Sequence, residues 1–233
     1  MKQAMIFAAG LGTRLKPLTD TMPKALVRVG GQPLIWHVIQ KLKASGYERI
    51  VVNVHHFADQ IVTYLEENHN FGLDIRISDE TSALLETGGG IKKALPLFDA
   101  NEPILIHNVD ILSNLDLEAL PMDAPLLVVS ERQTKRYLMF DDEMRLHGWT
   151  NIETGQIKGE KADKLLAFSG IHVFHPSLVP LLDEWPDRFP IMDFYLKACG
   201  THLIRGYEAK DLCLLDVGKL DTLDNAEKFI KSL

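Results

Sequence analysis

Close to its start the chain runs FAAGLGTRLKPLTDTMPKAL, from Phe7 to Leu26. Gly10 and Gly12 allow positive φ and let backbone N–H groups turn toward an anion. Thr13 adds a hydroxyl, and Arg14 a planar cationic fork that matches phosphate oxygens. Lys16 and Lys24 follow in the same loop, each beside a proline, Pro17 or Pro23. A lone G-x-G reads as a structural turn; this density of glycine, hydroxyl and cation reads as phosphate-binding chemistry. The two common glycine-rich loops do not fit it. A P-loop ends in Gly-Lys-Ser/Thr, and the dinucleotide fingerprint carries a third glycine near the position of Lys16. Two aspartates bring the opposite charge. Asp110 follows ILIHNV and Asp216 follows LCLL, so each is placed just past the end of an expected buried strand. Two separate strands could thereby aim both carboxylates into one crevice, although either aspartate alone reads first as a turn former or helix cap.

Other reactive side chains form no such constellation. His55 and His56 are adjacent, so on extended backbone they point to opposite sides, and no carboxylate or thiol cluster accompanies them. His107 and His172 sit inside apolar runs and read as core or pocket wall. Cys199 and Cys213 lack C-x-x-C spacing, which argues against a disulfide framework or a zinc site.

The elements that must position the loop and the aspartates follow from periodicity. The chain has 233 residues, 46% hydrophobic, which fits one domain with a substantial core. Apolar strand-like runs alternate with helical stripes, the pattern of an α/β fold. Strands are expected at Ala4–Ala9, Arg49–Val54, Leu73–Ser78, Pro103–His107, Leu126–Ser130, Ala167–Phe174 and Leu212–Val217. Leu34, Ile35, Val38, Ile39 and Leu42 share one helical face, with Gly46 placed to end that helix. A short helix is expected over Ile91–Leu97, and a closing helix capped by Asp221, with Asp211 and Asp224 as solvated surface. The polar, hairpin-like stretch at about 132–164 reads as an insertion over one edge of the sheet, within one domain spanning 1–233. The loop at Phe7 then leaves the carboxyl end of the first strand, where open α/β sheets hold ligands. A net charge of −7 argues against a nucleic-acid partner. No apolar run approaches the roughly 20 residues that span a bilayer, and no secretory signal opens the chain, so a cytoplasmic location without membrane contact is expected.

With these residues in view, AAGLGTRLKPLTDTMPKAL resembles the signature of the sugar-1-phosphate nucleotidylyltransferases. ETGGGIKKAL (Glu86–Leu95), LIHNVDIL (Leu105–Leu112), FSGIHVFHP (Phe168–Pro176) and LDVG (Leu215–Gly218) resemble the later blocks of that family in the same order. Within it the short chain and the ETGGGI form are most similar to the N-acetylmuramate-1-phosphate uridylyltransferases, with mannose-1-phosphate guanylyltransferases next. The resemblance implies a Rossmann-like, mostly parallel sheet flanked by helices, of the nucleotide-diphospho-sugar transferase type. It implies transfer of a nucleoside monophosphate unit, from UTP by the closer match, to a sugar 1-phosphate such as N-acetylmuramate 1-phosphate, with release of pyrophosphate. GTP with mannose 1-phosphate is the first alternative, a phosphoalcohol acceptor with CTP a further one, and a catalytically inactive nucleotide-binding regulatory subunit the alternative from another class.

The same resemblance assigns roles. Asp110 and Asp216 would hold Mg2+, Arg14 the triphosphate and Lys24 the phosphates at the reacting centre. Ala8, Gly10, Gly12, Thr13, Glu80, Thr87 and Gly88 would surround the nucleotide, with the three glycines at Gly88–Gly90 letting a base edge approach the backbone. Ser169, Gly170 and Asn151 would face the sugar. Chemistry agrees with such an assignment: a phosphate monoester with a second pKa of roughly 6 is largely a dianion near neutrality. It is therefore a nucleophile without a general base, and needs charge neutralisation and alignment instead. Larger members of the family carry a Glu-Lys-Pro motif whose lysine meets the sugar phosphate. That motif is missing between Asn151 and Phe168, where Lys161 and Lys164 stand as candidates, and Lys219 replaces a frequent threonine after Asp216.

Overall fold

The computed structural model describes residues 1–231, the side chain of Asp224 excepted, so the surface reading of Asp224 and the end of the expected domain lie outside the described residues. The strands in chain order are β1 (Lys2–Phe7), β2 (Arg28–Val29), β3 (Gln32–Pro33), β4 (Tyr47–Val54), β5 (Asp74–Asp79), β6 (Ile104–Asn108) and β7 (Ile111–Ser113). They continue with β8 (Leu126–Ser130), β9 (Arg136–Phe140), β10 (Leu146–Asn151), β11 (Gln156–Gly159), β12 (Lys164–Phe174), β13 (Arg205–Glu208) and β14 (Leu214–Asp216). The α-helices are α1 (Leu34–Ala44), α2 (Ala58–Glu67), α3 (Glu86–Ala94), α4 (Ile191–Ala198) and α5 (Leu220–Ile230).

A ten-stranded sheet forms the centre, in the order β11-β10-β9-β12-β6-β1-β4-β5, with β8 also pairing β12 and β13 completing that branch. The β6-β1-β4-β5 half is parallel, whereas β12 joins β6 antiparallel. Parallel strands are covered on both faces, and the sequence alternates accordingly. In β1, Ala4 and Ile6 enter the core under α1, α2 and α5, while Met5 enters the core under α3 and α4. In β4, Ile50 and Val52 take the first side and Val51 the second. Gly46, at φ +77°, ends α1 as expected.

Three elements differ from the sequence reading. The first is the polar stretch before Lys164, which does not lie over the sheet: β9, β10 and β11 form an antiparallel meander hydrogen-bonded to the start of β12. The second is β14, which pairs β7 in a separate two-stranded ladder instead of joining the main sheet. The third is α3, which begins at Glu86, ahead of the helix expected over Ile91–Leu97, and so contains all three glycines. Glycine disfavours helix by about 1 kcal/mol per residue, and packing overrides it here. A Cβ on Gly88 would stand 2.9 Å from Cζ of Phe189 and closer still to Cε2 and Cδ2. One on Gly89 would crowd the Asp187 carbonyl, and one on Gly90 would lie 2.8 Å from Oε1 of Glu80. Asp221 likewise lies inside the first turn of α5, whose N-cap is Lys219 and not Asp221.

Candidate active site

The loop after β1 is held by its own sequence. Gly12 adopts φ +63°, and a Cβ there would meet Cγ2 of Thr19 at 2.8 Å. Its carbonyl accepts from Leu15 N at 2.8 Å and from Oγ1 of the buried Thr19 at 2.8 Å. Leu15 is fully buried, which contributes about 2 kcal/mol to anchoring the loop. The peptide between Lys16 and Pro17 is cis. Lys16 pairs with Asp20 at 3.0 Å on the outer surface, so the two lysines of the loop separate: Lys16 faces solvent and Lys24 turns inward to an ion pair with Asp110, each side chain 13% exposed.

Asp110 sits two residues past β6, and Asp216 ends β14. They meet because β7 begins directly after Asp110 and pairs antiparallel with β14, which sets Asp216 opposite Ile111. Val217 N then donates to the Asp110 carbonyl at 2.8 Å. Arg14 closes the group: a Cβ on Gly218 would lie 2.6 Å from Oδ1 of Asp216 and 2.8 Å from Nη2 of Arg14. Desolvation and then the Asp110 charge raise the Asp216 carboxyl above the usual carboxylate range, against the lowering effect of Lys24, Arg14 and the Gly218 N–H. Two carboxylates close enough for one to raise the other's pKa fit the donor set of magnesium, which takes one or two carboxylates and completes its shell with phosphates and waters.

Two clefts open from this point. The first, about 420 Å3, is lined by Ala8, Gly10, Lys24, Glu80, Thr87 and Asp110 among others. The second, about 680 Å3, is reached by Arg14, Thr87 and Asp216, and both share Phe7, Thr87, Asn108 and Pro190. Residues expected at the nucleotide and the reacting phosphates therefore converge at the strand ends. Three of them do not reach the lining: Gly12 and Thr13 shape the loop behind it, and Gly88 faces Phe189 while its N–H donates to Phe189 O at 2.8 Å. Glu80 is fully buried and supports the first cleft from below. Its Oε1 accepts from Nδ2 of Asn53 at 2.8 Å and its Oε2 from Leu85 N at 3.1 Å, while Oδ1 of Asn53 accepts from Ala8 N at 2.8 Å. This chain of bonds fixes the end of β1 against the start of α3.

None of the residues assigned to the sugar lines either cleft. The Ser169 hydroxyl is buried and donates to Val128 O at 2.7 Å, because β12 continues past it into the core. Gly170 adopts φ +76° at the bend where β12 leaves β9 for β6; a Cβ there would strike Nδ2 of Asn108 at 2.8 Å, so its role is to make room for Asn108. Asn151 ends β10, and its Oδ1 accepts from Glu153 N at 3.0 Å in the turn toward β11. Lys161 is exposed and Lys164 reaches toward Asp142. The wall of the second cleft is instead Arg132, Arg136, Trp149, Lys158 and Asp193. Lys158 donates to Oδ1 of Asp193 at 2.7 Å with its ammonium 5.8 Å from the Trp149 ring centroid, and Arg132 donates to Phe168 O at 3.0 Å. Arg132 and Arg136 stand in SERQTKRY, where their density was a visible but unused signal. Asn108 was legible only as the residue two before Asp110. Phe7, Phe168 and His172 form the floor, His172 lying 5.8 Å from Phe168 ring to ring. Burial pushes the His172 pKa down to about 3, so the ring is neutral.

The nucleotidyl transferase family profile matches residues 3–124, which include the opening loop and Asp110. The N-acetylmuramate alpha-1-phosphate uridylyltransferase of Caulobacter vibrioides is 50% identical over 111 residues, 47% of this chain and 46% of that protein. The match thus spans about half the length of that relative. The mannose-1-phosphate guanyltransferase of Kluyveromyces lactis is 36% identical over 247 aligned positions, covering 99% of this chain and 65% of its own. Among solved structures, a putative glucose-1-phosphate thymidylyltransferase from Bacillus anthracis superposes with a TM-score of 0.81 at 16% identity, covering 100% of this chain and 96% of its own, which establishes the common fold.

Proposed function

The chain belongs to the nucleotidyl transferase family, and from that premise we propose that it transfers the UMP unit of UTP to N-acetylmuramate 1-phosphate, releasing pyrophosphate. The observation that carries the reading is the convergence of Arg14, Lys24, Asp110 and Asp216 at the junction of two clefts, one lined by the small residues Ala8, Ala9 and Gly10 and one walled by cations. The acceptor phosphate, a dianion, attacks the α-phosphorus of the triphosphate; the new P–O bond forms as the α–β bridging bond breaks, and pyrophosphate leaves with the electron pair. No proton needs to move at the reacting atoms.

Each side chain then has a task. Arg14 offers a bidentate fork to the triphosphate. Lys24 leaves Asp110 for the phosphates as negative charge shifts to the leaving group. Asp110 and Asp216 would hold Mg2+, which when bound neutralises the phosphate oxygens and holds them in line. Ala8, Gly10 and Thr87 border the nucleoside cleft. With Lys158 paired to Asp193, Arg132 and Arg136 still bring two positive charges to the acceptor cleft, which favours an acceptor that carries a carboxylate besides its phosphate, as N-acetylmuramate does. The apolar floor of Phe7 and Phe168 suits the face of a sugar ring.

Pyrophosphate release across four nucleoside triphosphates and a panel of sugar 1-phosphates, with and without magnesium, tests the reading. Signal confined to UTP with the N-acetylmuramate ester is expected. Signal confined to GTP with mannose 1-phosphate keeps the mechanism and replaces the specificity, and silence in a protein that still binds nucleotide favours a regulatory role.

A further inference from the structure

On the α1 side of the sheet, behind the β6–β7 turn, lies a cavity of about 290 Å3 that shares no lining residue with either cleft. It brings together Lys41 of α1, His107 of β6 and Ser113 of β7. His107 is fully buried, and its Nδ1 lies 2.8 Å from the Asn108 carbonyl. A carbonyl only accepts, so Nδ1 carries the proton and Nε2 is left as an acceptor. Among the described residues Nε2 has no hydrogen-bond partner, and neither has the hydroxyl of Ser113, which is 4% exposed. Buried polar atoms are rarely left this way. The Lys41 ammonium donates to Ser113 O at 2.9 Å and has two further donors. Burial lowers its pKa, with Asp116 compensating in part, as for a cation short of solvation.

We propose that this cavity is a second ligand site, and that it takes a small hydroxylated anion of about hexose phosphate size. The acidic group would pair with Lys41, one hydroxyl would donate to Nε2 of His107, and the Ser113 hydroxyl would donate to an oxygen of the ligand. The volume lies near the lower end of small-molecule pockets, roughly 300 Å3. The site is separate from the catalytic crevice yet adjoins it, since His107 and Ser113 stand three residues to either side of Asp110.

Calorimetric titration of the full chain with inorganic phosphate, myo-inositol and glucose 6-phosphate tests this. Glucose 6-phosphate should bind saturably, and at least about tenfold more tightly than either partial probe, because it alone supplies both kinds of contact. Lys41→Met and His107→Leu should each weaken that binding by about tenfold, and Arg14→Ala should leave it unchanged. Ser113→Ala, a milder change, serves as the second cavity variant should His107→Leu not fold, with a loss of several-fold expected. Absence of saturable binding overturns the proposal and leaves the cavity to water. Binding lost with Arg14→Ala and kept with Lys41→Met also overturns it, by placing the probe in the crevice. Neither result depends on which nucleotide the crevice takes.

Discussion

Gly88→Ala separates two explanations of the glycine run ETGGGI, because they differ in the sign of its effect. If the glycine serves close approach of a base, alanine there should stabilise the helix by up to about 1 kcal/mol while weakening nucleotide binding. The structure argues the reverse. The added methyl would stand 2.9 Å from Cζ of Phe189 and nearer to two other ring carbons, where carbon atoms rest at about 3.5–4.0 Å. The ring would have to retreat by more than about 1 Å, yet it is 3% exposed, packed 4.8 Å from Trp185 and 6.2 Å from Phe194 between centroids. Its own carbonyl is tied to Gly88 N. Overpacking at such a site costs about 3 kcal/mol. Set against the helix gain of about 1 kcal/mol, a net loss of about 2 kcal/mol remains, or a Tm lower by about 4–8 °C for a domain of this size. Thermal unfolding beside a UTP titration reads both quantities. A lower Tm with UTP affinity within about threefold of the parent is expected, and Phe189→Ala should cost less in the Gly88→Ala background than in the parent, because the methyl then fills part of the space the ring leaves. A Tm that rises or stays, with UTP affinity down tenfold, refutes the packing argument.

Asp110→Asn removes one carboxylate of the pair and the partner of Lys24; turnover should fall by about 10³ or more while Tm changes by only a few degrees, and activity within tenfold of the parent would remove the metal assignment. Arg136→Ala leaves the reacting centre intact, so KM for a carboxylate-bearing sugar phosphate should rise about tenfold with little change for a neutral hexose 1-phosphate; equal effects on both would count against the acidic acceptor. His172 has a folded pKa of about 3 against an unfolded value of about 6.5, so the unfolded state binds more protons between these values. Stability is therefore complete above about pH 6.5 and falls by up to about 1.4 kcal/mol per pH unit below it. His172→Phe should lessen the dependence of Tm on pH across that window, leaving the part due to His107, whose pKa burial pushes down to about 4, and a slope equal to that of the parent would show that His172 contributes none of it.

The sequence by itself determined the class of fold and the chemistry of its first loop. Both are local properties: alternation in β1 and β4 declares strands buried on two faces, and Gly10, Gly12, Arg14 and Lys24 are residue types suited to phosphate, legible without reference to anything distant. Asp110 was legible as the end of a buried strand, and Asp216 as its counterpart. Their meeting was decided by the ladder between β7 and β14, whose few residues gave no periodicity to read. Tertiary structure alone decided the second cleft. The resemblance assigns Ser169, Gly170 and Asn151 to the sugar, yet a positive φ at Gly170 turns β12 so that Ser169 bonds within the sheet, and the wall passes to Arg132, Arg136 and Lys158. Glycine was the hardest residue to interpret, for the same reason. What it lacks is a side chain, and whether that space admits a ligand or the ring of Phe189 depends on a segment about a hundred residues further along the chain, which folding alone brings alongside.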